Sequence, residues 1–252
     1  MKLFSATFYR GIWLICKKEL SDLFLSPLVY VLAALFSFIL GWLFFNYLMA
    51  SKVATSQTLT PAVVEPIFGN MNLIFVFLVP LMTMNSFSQE KRNGTLDLLF
   101  RSKLSDLQII LGKFFSQMIT AIFLLSFTLI FVFVLKSADF KDWSIIWTSY
   151  TGLFFSIACY VSVGLFTSTL TENSIVASLL SFCILISSMI LVLSTNALEN
   201  EFVTELVQYM TVPFHYYAFS KGIIRSFSLI FFASFCGFFL FLTMRSLERR
   251  KW

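Results

Sequence analysis

Few residues in this sequence have the types and the spacing that enzyme chemistry requires. The four cysteines occur singly, with no Cys-x-x-Cys pair, at Cys16, Cys159, Cys183 and Cys236. This spacing predicts neither a zinc site nor a disulfide framework. The only histidine, His215, stands beside Tyr216 and Tyr217, which is more typical of an interfacial residue than of a ligand or a base. We therefore predict no catalytic residue, no cofactor-binding residue and no metal site.

The dipeptide Gly112-Lys113 is similar to the end of a phosphate-binding P-loop. That motif also requires a glycine five residues before Gly112 and a serine or threonine directly after the lysine. Leu107 and Phe114 occupy those two positions. We therefore predict that the chain does not bind ATP through this motif and is not itself an enzyme.

The composition indicates a membrane protein. Hydrophobic residues make up 58% of the 252 residues and charged residues only 12%, about half the charged share of a soluble domain. Phe occurs 33 times, more often than Asp, Glu, Lys and Arg together. These values exclude a soluble enzyme, a disordered chain and a disulfide-stapled secreted module.

Stretches without charged residues divide the chain into six spans, each able to supply the ~20 apolar residues that cross a bilayer. We place the spans at 27–49, 67–88, 114–136, 146–170, 174–195 and 227–245. A seventh uncharged window, 206–220, is too short and too polar to cross, so we predict an extracytoplasmic, re-entrant segment at 197–224. The only Asp, Glu, Lys, Arg or His residues in these spans are Lys136 and Arg245, each the last residue of its span, and this disfavours secondary transport. The expected fold is one all-α transmembrane domain over residues 1–252.

The basic residues predict the orientation. With six spans, both termini share one side with the second and fourth connections. That side carries 13 of the 18 Lys and Arg residues: Lys2, Arg10, Lys17, Lys18, Lys91, Arg92, Arg101, Lys103, Lys113, Arg245, Arg249, Arg250 and Lys251. The positive-inside rule therefore places both termini in the cytoplasm.

The first residues, 3–24, predict a helix that lies in the membrane interface. On a helical projection one half is apolar and aromatic, with Phe8, Ile12 and Trp13, whereas Arg10 and Lys17 share the opposite arc. Ser26-Pro27 ends this helix and starts the first span. The alternative is a solvated basic leader.

The connection at 89–112 is the most informative segment. Asn93-Gly94 predicts a turn, and Thr95 can cap a short helix with Asp97 in its first turn. The apolar face of that helix is formed by Leu96, Leu99 and Phe100, and Ser105 or Asp106 can cap the helix that follows. The segment is either a docking surface for a cytosolic partner or a solvated loop on the lipid headgroups.

The sequence from Glu90 to Ser105 resembles the permeases of type-2 ATP-binding-cassette (ABC) exporters. The shared pattern is an acidic residue, a basic pair, Gly-Thr-Leu, an acidic residue and two leucine-like residues. Lys18-Glu19-Leu20 and Ser26–Tyr30 are also similar to this family. The stretch 221–224 and the basic C-terminus resemble its gliding-motility-associated branch, although Arg225 and Ser228 stand where that branch usually has acidic residues.

The resemblance implies a six-span permease with an N-terminal interfacial helix, a cytoplasmic coupling helix and re-entrant helices before the last span. Such a permease lies in the bacterial inner membrane and pairs with a second permease. Two copies of a separate cytosolic ATPase bind the ATP and Mg. The residues implied in coupling to that ATPase are Lys17, Lys18, Glu19, Glu90, Lys91, Arg92, Gly94, Thr95 and Asp97.

Three classes of function are therefore open. The first is the permease of an ATP-driven exporter, and the second is a mechanotransmitting or structural subunit of an ATP-powered envelope machine. The third is a secondary transporter or channel, which needs no ATPase. Membrane lipid is an expected partner and nucleic acid is not. The substrate is not indicated, because Phe-rich spans fit an apolar cargo and are also ordinary lipid-facing surface.

Overall fold

The computed structural model of the chain describes residues 6–50, 60–96, 104–137, 142–194, 204 and 207–249. These residues are helical, and no strand occurs among them. The helices are α1 Ala6–Leu25, α2 Pro27–Ala50, α3 Glu65–Thr83, α4 Asn85–Arg92, α5 Asp106–Ser126, α6 Leu129–Ser137, α7 Trp143–Leu170, α8 Ser174–Ser194, α9 Val212–Ser220 and α10 Ser226–Glu248. A π-helical turn, Thr60–Val64, leads into α3.

Within these residues, six helical stretches are long and apolar enough to cross a membrane. They are Pro27–Ala50, Thr60–Arg92, Asp106–Ser137, Trp143–Leu170, Ser174–Leu191 and Ser226–Glu248. Because backbone polar groups inside a bilayer must be paired within the chain, helices of this length are the expected solution. The prediction of an all-α integral membrane protein with six spans is confirmed.

Side-chain caps explain where several helices begin. The hydroxyl of Ser26 accepts a hydrogen bond from the N–H of Leu28, and Pro27 occupies the first turn of α2, where its missing N–H costs nothing. The side chain of Asn173 accepts from the N–H of Ile175 at 2.9 Å and starts α8 in the same way. The short connection before α2 therefore separates α1 from the first span.

The second span continues from α3 into α4 through Met84, whose backbone is helical. Pro80 lies inside α3 and cannot donate a backbone hydrogen bond, and the N–H of Met84 donates to the carbonyl of Pro80. Next to Met84, Thr83 packs directly on Gly164 of α7. A Cβ atom on Gly164 would lie 2.1 Å from the Thr83 hydroxyl oxygen, so only glycine allows this approach.

α7 is the central helix of the bundle. It packs against α3, α4, α5, α8, α9 and α10, and it is the most buried of the six spans. By contrast, α2 and α10 expose much of their apolar surface, as expected of helices that face lipid. α1 stands apart from the bundle core and packs mainly along α5.

Residues 89–112, treated above as one connection, are mostly helical where the structure describes them. α4 continues to Arg92, and α5 begins at Asp106, eight residues before the span expected at 114. Gly112 and Lys113 consequently lie within α5. The connection is reduced to residues 93–105, and the expected coupling helix with Asp97 falls outside the described residues.

The region before the last span contains the short helix α9, and His215 of this helix is buried rather than interfacial. Its Nε2 lies 3.0 Å from the carbonyl oxygen of Tyr209, and its Nδ1 lies 3.0 Å from the hydroxyl of Ser228. Because a carbonyl can only accept, the neutral ring donates from Nε2 and accepts at Nδ1. Burial lowers the pKa of His215 below its usual value, and the nearby Arg225 also lowers it, against the opposing effect of the Tyr209 carbonyl.

Candidate functional site

α1 packs along the first half of α5 with almost no side chain between the two backbones. A Cβ atom on Gly112 would lie 2.8 Å from the Cβ of Ile15 and 3.1 Å from the carbonyl oxygen of Ile12. A Cβ atom on Gly11 would lie 2.5 Å from Nε2 of Gln108. One glycine from each helix therefore makes the close contact possible.

Gln108 connects the beginning of α5 to α1. Its Oε1 accepts a hydrogen bond from the N–H of Ser105 at 2.8 Å, and the Ser105 hydroxyl accepts from the N–H of Gln108. This reciprocal arrangement is a capping box, and it confirms Ser105 as a helix cap. The Nε2 of Gln108 donates to the carbonyl of Phe8 at 3.0 Å. A single side chain therefore both starts α5 and attaches it to α1.

The surface of α1 has three sectors rather than the two that the helical projection predicts. Gly11 and Ile15 are buried against α5. Tyr9 and Trp13, one turn apart, are exposed and form an aromatic strip. Lys17, with Arg10 and Lys18, lies on the remaining exposed arc. A helix with a protein face, an aromatic face and a basic face suits a position where protein, headgroups and water meet.

Lys113 is the centre of a buried ion cluster that joins three helices. Its side chain is 1% exposed, and its Nζ lies 2.7 Å from Oε1 of Glu19 and 3.0 Å from Oε1 of Glu90. The Nζ also donates to the backbone carbonyl of Ser86 at 2.6 Å. Lys18, whose side chain is 59% exposed, places its Nζ 3.8 Å from the same oxygen of Glu90. α1, α4 and α5 thus share one electrostatic junction.

The geometry of this cluster explains how a cation can be buried there. The Lys113 ammonium donates hydrogen bonds to Glu19 and to the Ser86 carbonyl, and it forms an ion pair with Glu90 as well. The ring centroid of Phe87 lies 5.0 Å from the Nζ and adds a cation–π contact. Removing one partner of such a cluster leaves a charge without compensation, at a typical cost of ~3–5 kcal/mol. The junction therefore resists separation of the three helices.

α4 ends in a well-defined turn at Gly94. This glycine has a φ of +67°, in the left-handed region that other residues adopt at a cost. The N–H of Thr95 donates to the carbonyl of Glu90, and the N–H of Gly94 donates to the carbonyl of Lys91. These two bonds form a Schellman motif. The turn predicted at Asn93-Gly94 is confirmed, and it is continuous with α4.

Lys91 attaches α4 to the core of the bundle. Its buried ammonium donates to the carbonyl of Thr169, in the last turn of α7, where carbonyls lack partners within the helix. The hydroxyl of Thr169 in turn donates to the hydroxyl of Ser246 in α10 at 2.9 Å. Ser88 lies 3.0 Å from Ser174 at the start of α8, oxygen to oxygen. α4 is therefore linked directly to α7 and α8, and through Thr169 to α10.

The structure brings together only some of the residues implied in coupling. Lys18, Glu19 and Glu90 meet in the cluster, with both carboxylates directed inward to Lys113 rather than outward to a partner. Lys91 faces α7. The exposed members are Lys17, Arg92, Gly94 and Thr95, and Asp97 lies outside the described residues.

From the sequence, Lys113 was a marker of orientation and part of an incomplete P-loop pattern, and it was not among the residues implied in coupling. The signal available was Lys113 and Gln117 one helical turn apart, which places two polar side chains on the same face of an apolar helix. In the described part of the chain, no group of three or more His, Cys, Asp and Glu residues could hold a metal ion.

A helical bundle with six spans and a charged junction at one end defines a multi-pass membrane protein. Comparison with known protein families identifies the family to which the chain belongs. Residues 51–226 match the family described as ABC-2 family transporter protein, so the chain belongs to that family. It is an ABC permease, and this family implies a partner ATPase subunit. No curated protein matches the chain.

Proposed function

We propose that the chain is the permease subunit of an ATP-driven exporter, in which hydrolysis by a cytosolic ATPase moves a substrate across or out of the membrane. The observation that carries this proposal is the junction in which Lys113 joins α1 and α4 to α5. It connects an exposed turn to the spans through ionic contacts. A connection that served only as a loop would not need a buried cation at its base.

The proposed transmission begins at the turn around Gly94. Because the Schellman motif makes this turn continuous with α4, a push on the turn moves α4 as a unit. The contact of Glu90 with Lys113 passes the motion to α5, and the contact of Glu19 with Lys113 passes it to α1. Lys91 passes it to the end of α7.

The surface offered to the ATPase in this proposal is the exposed group of Lys17, Arg92, Gly94 and Thr95. Arg92 and Lys17 make it basic, so we expect the ATPase to present acidic groups there. Asp97 remains a proposed member of this surface. Glu19 and Glu90 contribute indirectly, because their contacts with Lys113 hold α1 and α4 against α5.

The complete assembly that we propose contains two copies of the ATPase, which bind ATP and Mg, and a second permease, identical or related. The excess of basic residues at one end supports a location in the inner membrane with both termini in the cytoplasm. The resemblance of residues 221–224 and of the basic C-terminus to the gliding-motility-associated branch supports placing the chain near that branch.

The test uses the full chain co-expressed with its cognate ATPase. The purified permease alone should not hydrolyse ATP, and the complex should contain the ATPase. Arg92→Glu reverses an exposed charge on the proposed surface and should weaken association at least tenfold, since charge reversal at an interface turns attraction into repulsion. Lys136→Glu, an equally exposed reversal at the end of α6, is the matched control and should bind normally. Hydrolysis by the chain alone, or failure of any ATPase to associate, would contradict the proposal.

A further inference from the structure

A cavity of about 420 Å³ lies directly beside the Lys113 cluster. It is enclosed by the second half of α1, the first turn of α2, and parts of α3, α4 and α5. One part of its wall is polar and carries Glu19, Asp22 and Glu90. Leu28 and Met82 make another part of the wall apolar. Its volume is within the range of ordinary ligand pockets, and its two-part wall suits an amphiphile.

Two buried acceptor atoms in this wall have no hydrogen-bond donor among the described residues. They are Oε2 of Glu90 and Oε1 of Gln117. Gln117 is 1% exposed, and its Nε2 donates to the hydroxyl of Ser86 at 3.0 Å. Lys113 donates its hydrogen bonds to Glu19 and to the Ser86 carbonyl, and its Nζ lies 3.0 Å from the other oxygen of Glu90. Buried acceptors are normally paired, so this wall calls for donors from an occupant.

The charge of the wall indicates what kind of donor fits. The wall contains two basic side chains, Lys18 and Lys113, and three acidic ones, Glu19, Asp22 and Glu90. The acidic side chains therefore exceed the basic ones by one negative charge. A neutral donor would not balance this charge, and a quaternary ammonium would balance it without offering any N–H. A primary ammonium offers both a positive charge and three donors.

We propose that this cavity binds the primary ammonium group of an amphiphile. The ammonium donates to Glu90 and Gln117, whose buried oxygens turn toward the cavity as it enters, and the apolar part lies along Leu28 and Met82. This inference does not depend on the export function. The same chemistry can come from a bilayer lipid with an ethanolamine headgroup or from a free alkylamine, and the test below separates these sources.

The lipid arm uses the purified full chain in nanodiscs. The series runs from phosphatidylethanolamine through its N-methyl and N,N-dimethyl forms to phosphatidylcholine, so the charge stays constant while the N–H donors fall from three to none. Lipid retained by the protein is measured by native mass spectrometry. Retention should decrease along the series, by about tenfold in total, because hydrogen bonds to charged groups are among the stronger ones in proteins. Equal retention across the series would exclude a bilayer lipid as the occupant, and the free-amine arm then decides whether the cavity binds a primary ammonium at all.

Gln117→Leu tests the site itself, because it removes the unpaired acceptor and keeps a similar volume. The matched control is Gln89→Leu, which changes an exposed glutamine that lines the same cavity. Gln117→Leu should flatten the methylation series, and Gln89→Leu should leave it unchanged. Circular dichroism verifies that both variants fold. If the folded Gln117→Leu protein keeps the full lipid preference, the cavity is not the binding site and the proposal fails.

The free-amine arm uses phosphatidylcholine nanodiscs with dodecylamine or dodecyltrimethylammonium, and it measures the thermal unfolding midpoint. Stabilisation by dodecylamine alone, lost in Gln117→Leu, supports the proposed chemistry. If this occurs without any preference for phosphatidylethanolamine, the natural occupant is a free amphiphile rather than a lipid. Equal effects of the two amines together with equal lipid retention would reject a primary-ammonium site.

Discussion

Gly112 in α5 and Ile15 in α1 approach so closely that a Cβ atom on the glycine would lie 2.8 Å from the Cβ of Ile15. No other residue type fits this crossing without moving one of the helices. Gly112→Leu should therefore displace α1 from α5, with a cost of roughly 1–3 kcal/mol typical of overpacking. Cys16, now buried on α1, reports the displacement in a protein from which the other cysteines are removed. Its labelling by a thiol reagent should become at least several-fold faster.

The control for this substitution is Gly237→Leu in α10. A Cβ atom on Gly237 would meet nothing within 4 Å, so the same change in residue type should be tolerated. Slow labelling of Cys16 in both variants would show that α1 is not held by the glycine contact.

Lys113→Met should destabilise the folded protein by about 3 kcal/mol, because it leaves two shielded carboxylates next to each other. Arg245→Met provides the comparison. Arg245 pairs with Glu248 at 2.8 Å, a distance similar to that between Lys113 and Glu19, but its side chain is 61% exposed. Exposed pairs contribute ~0–1 kcal/mol. The free energy of unfolding of each variant is measured in a mild detergent by titration with a denaturing detergent. Similar decreases in this free energy for the two variants would be evidence against a structural role of the buried cluster.

The spans could be predicted from the sequence because a charged side chain inside a bilayer costs several kcal/mol, so uncharged windows reveal the membrane. The role of Lys113 could not be predicted in this way. Its partners, Glu19 and Glu90, are distant in sequence and become neighbours only when α1 and α4 pack on α5. A helical projection likewise showed that one half of α1 is apolar, but it could not show that α5 covers only part of that half.

Gly94→Val should disrupt the turn after α4, whereas Gly94→Asn should largely preserve it. The space around Gly94 is open, so the difference arises from the backbone: asparagine adopts a positive φ more readily than a β-branched residue. We expect Gly94→Val to weaken co-purification of the ATPase several-fold while expression and membrane insertion stay normal. Equal behaviour of the two variants would indicate that the shape of this turn is irrelevant to association.

The stability of the protein should decrease as the pH falls below about 6.5, the ordinary pKa of histidine. Because burial lowers the pKa of His215 in the folded state, the unfolded chain takes up a proton at a higher pH than the folded chain does. Stability is therefore full above the unfolded pKa and is lost progressively below it. His215→Gln keeps a donor for the Tyr209 carbonyl but cannot titrate.

Thermal unfolding between pH 8 and pH 5 measures this effect. The His215→Gln protein should be less stable than the wild type at pH 8, and the difference should shrink toward pH 5. Parallel curves for the two proteins would show that His215 does not contribute to the pH dependence.

The helical backbone at Met84 makes α4 the outer arm of the second span. At about 1.5 Å per residue, Gly94 lies ~15 Å and Glu90 ~9 Å from Met84 along the helix. A tilt of this arm by about 15° around Met84 would move the turn by ~4 Å and the backbone at Glu90 by ~2 Å. In the proposed function, the junction with Lys113 would therefore receive a smaller stroke than the turn does.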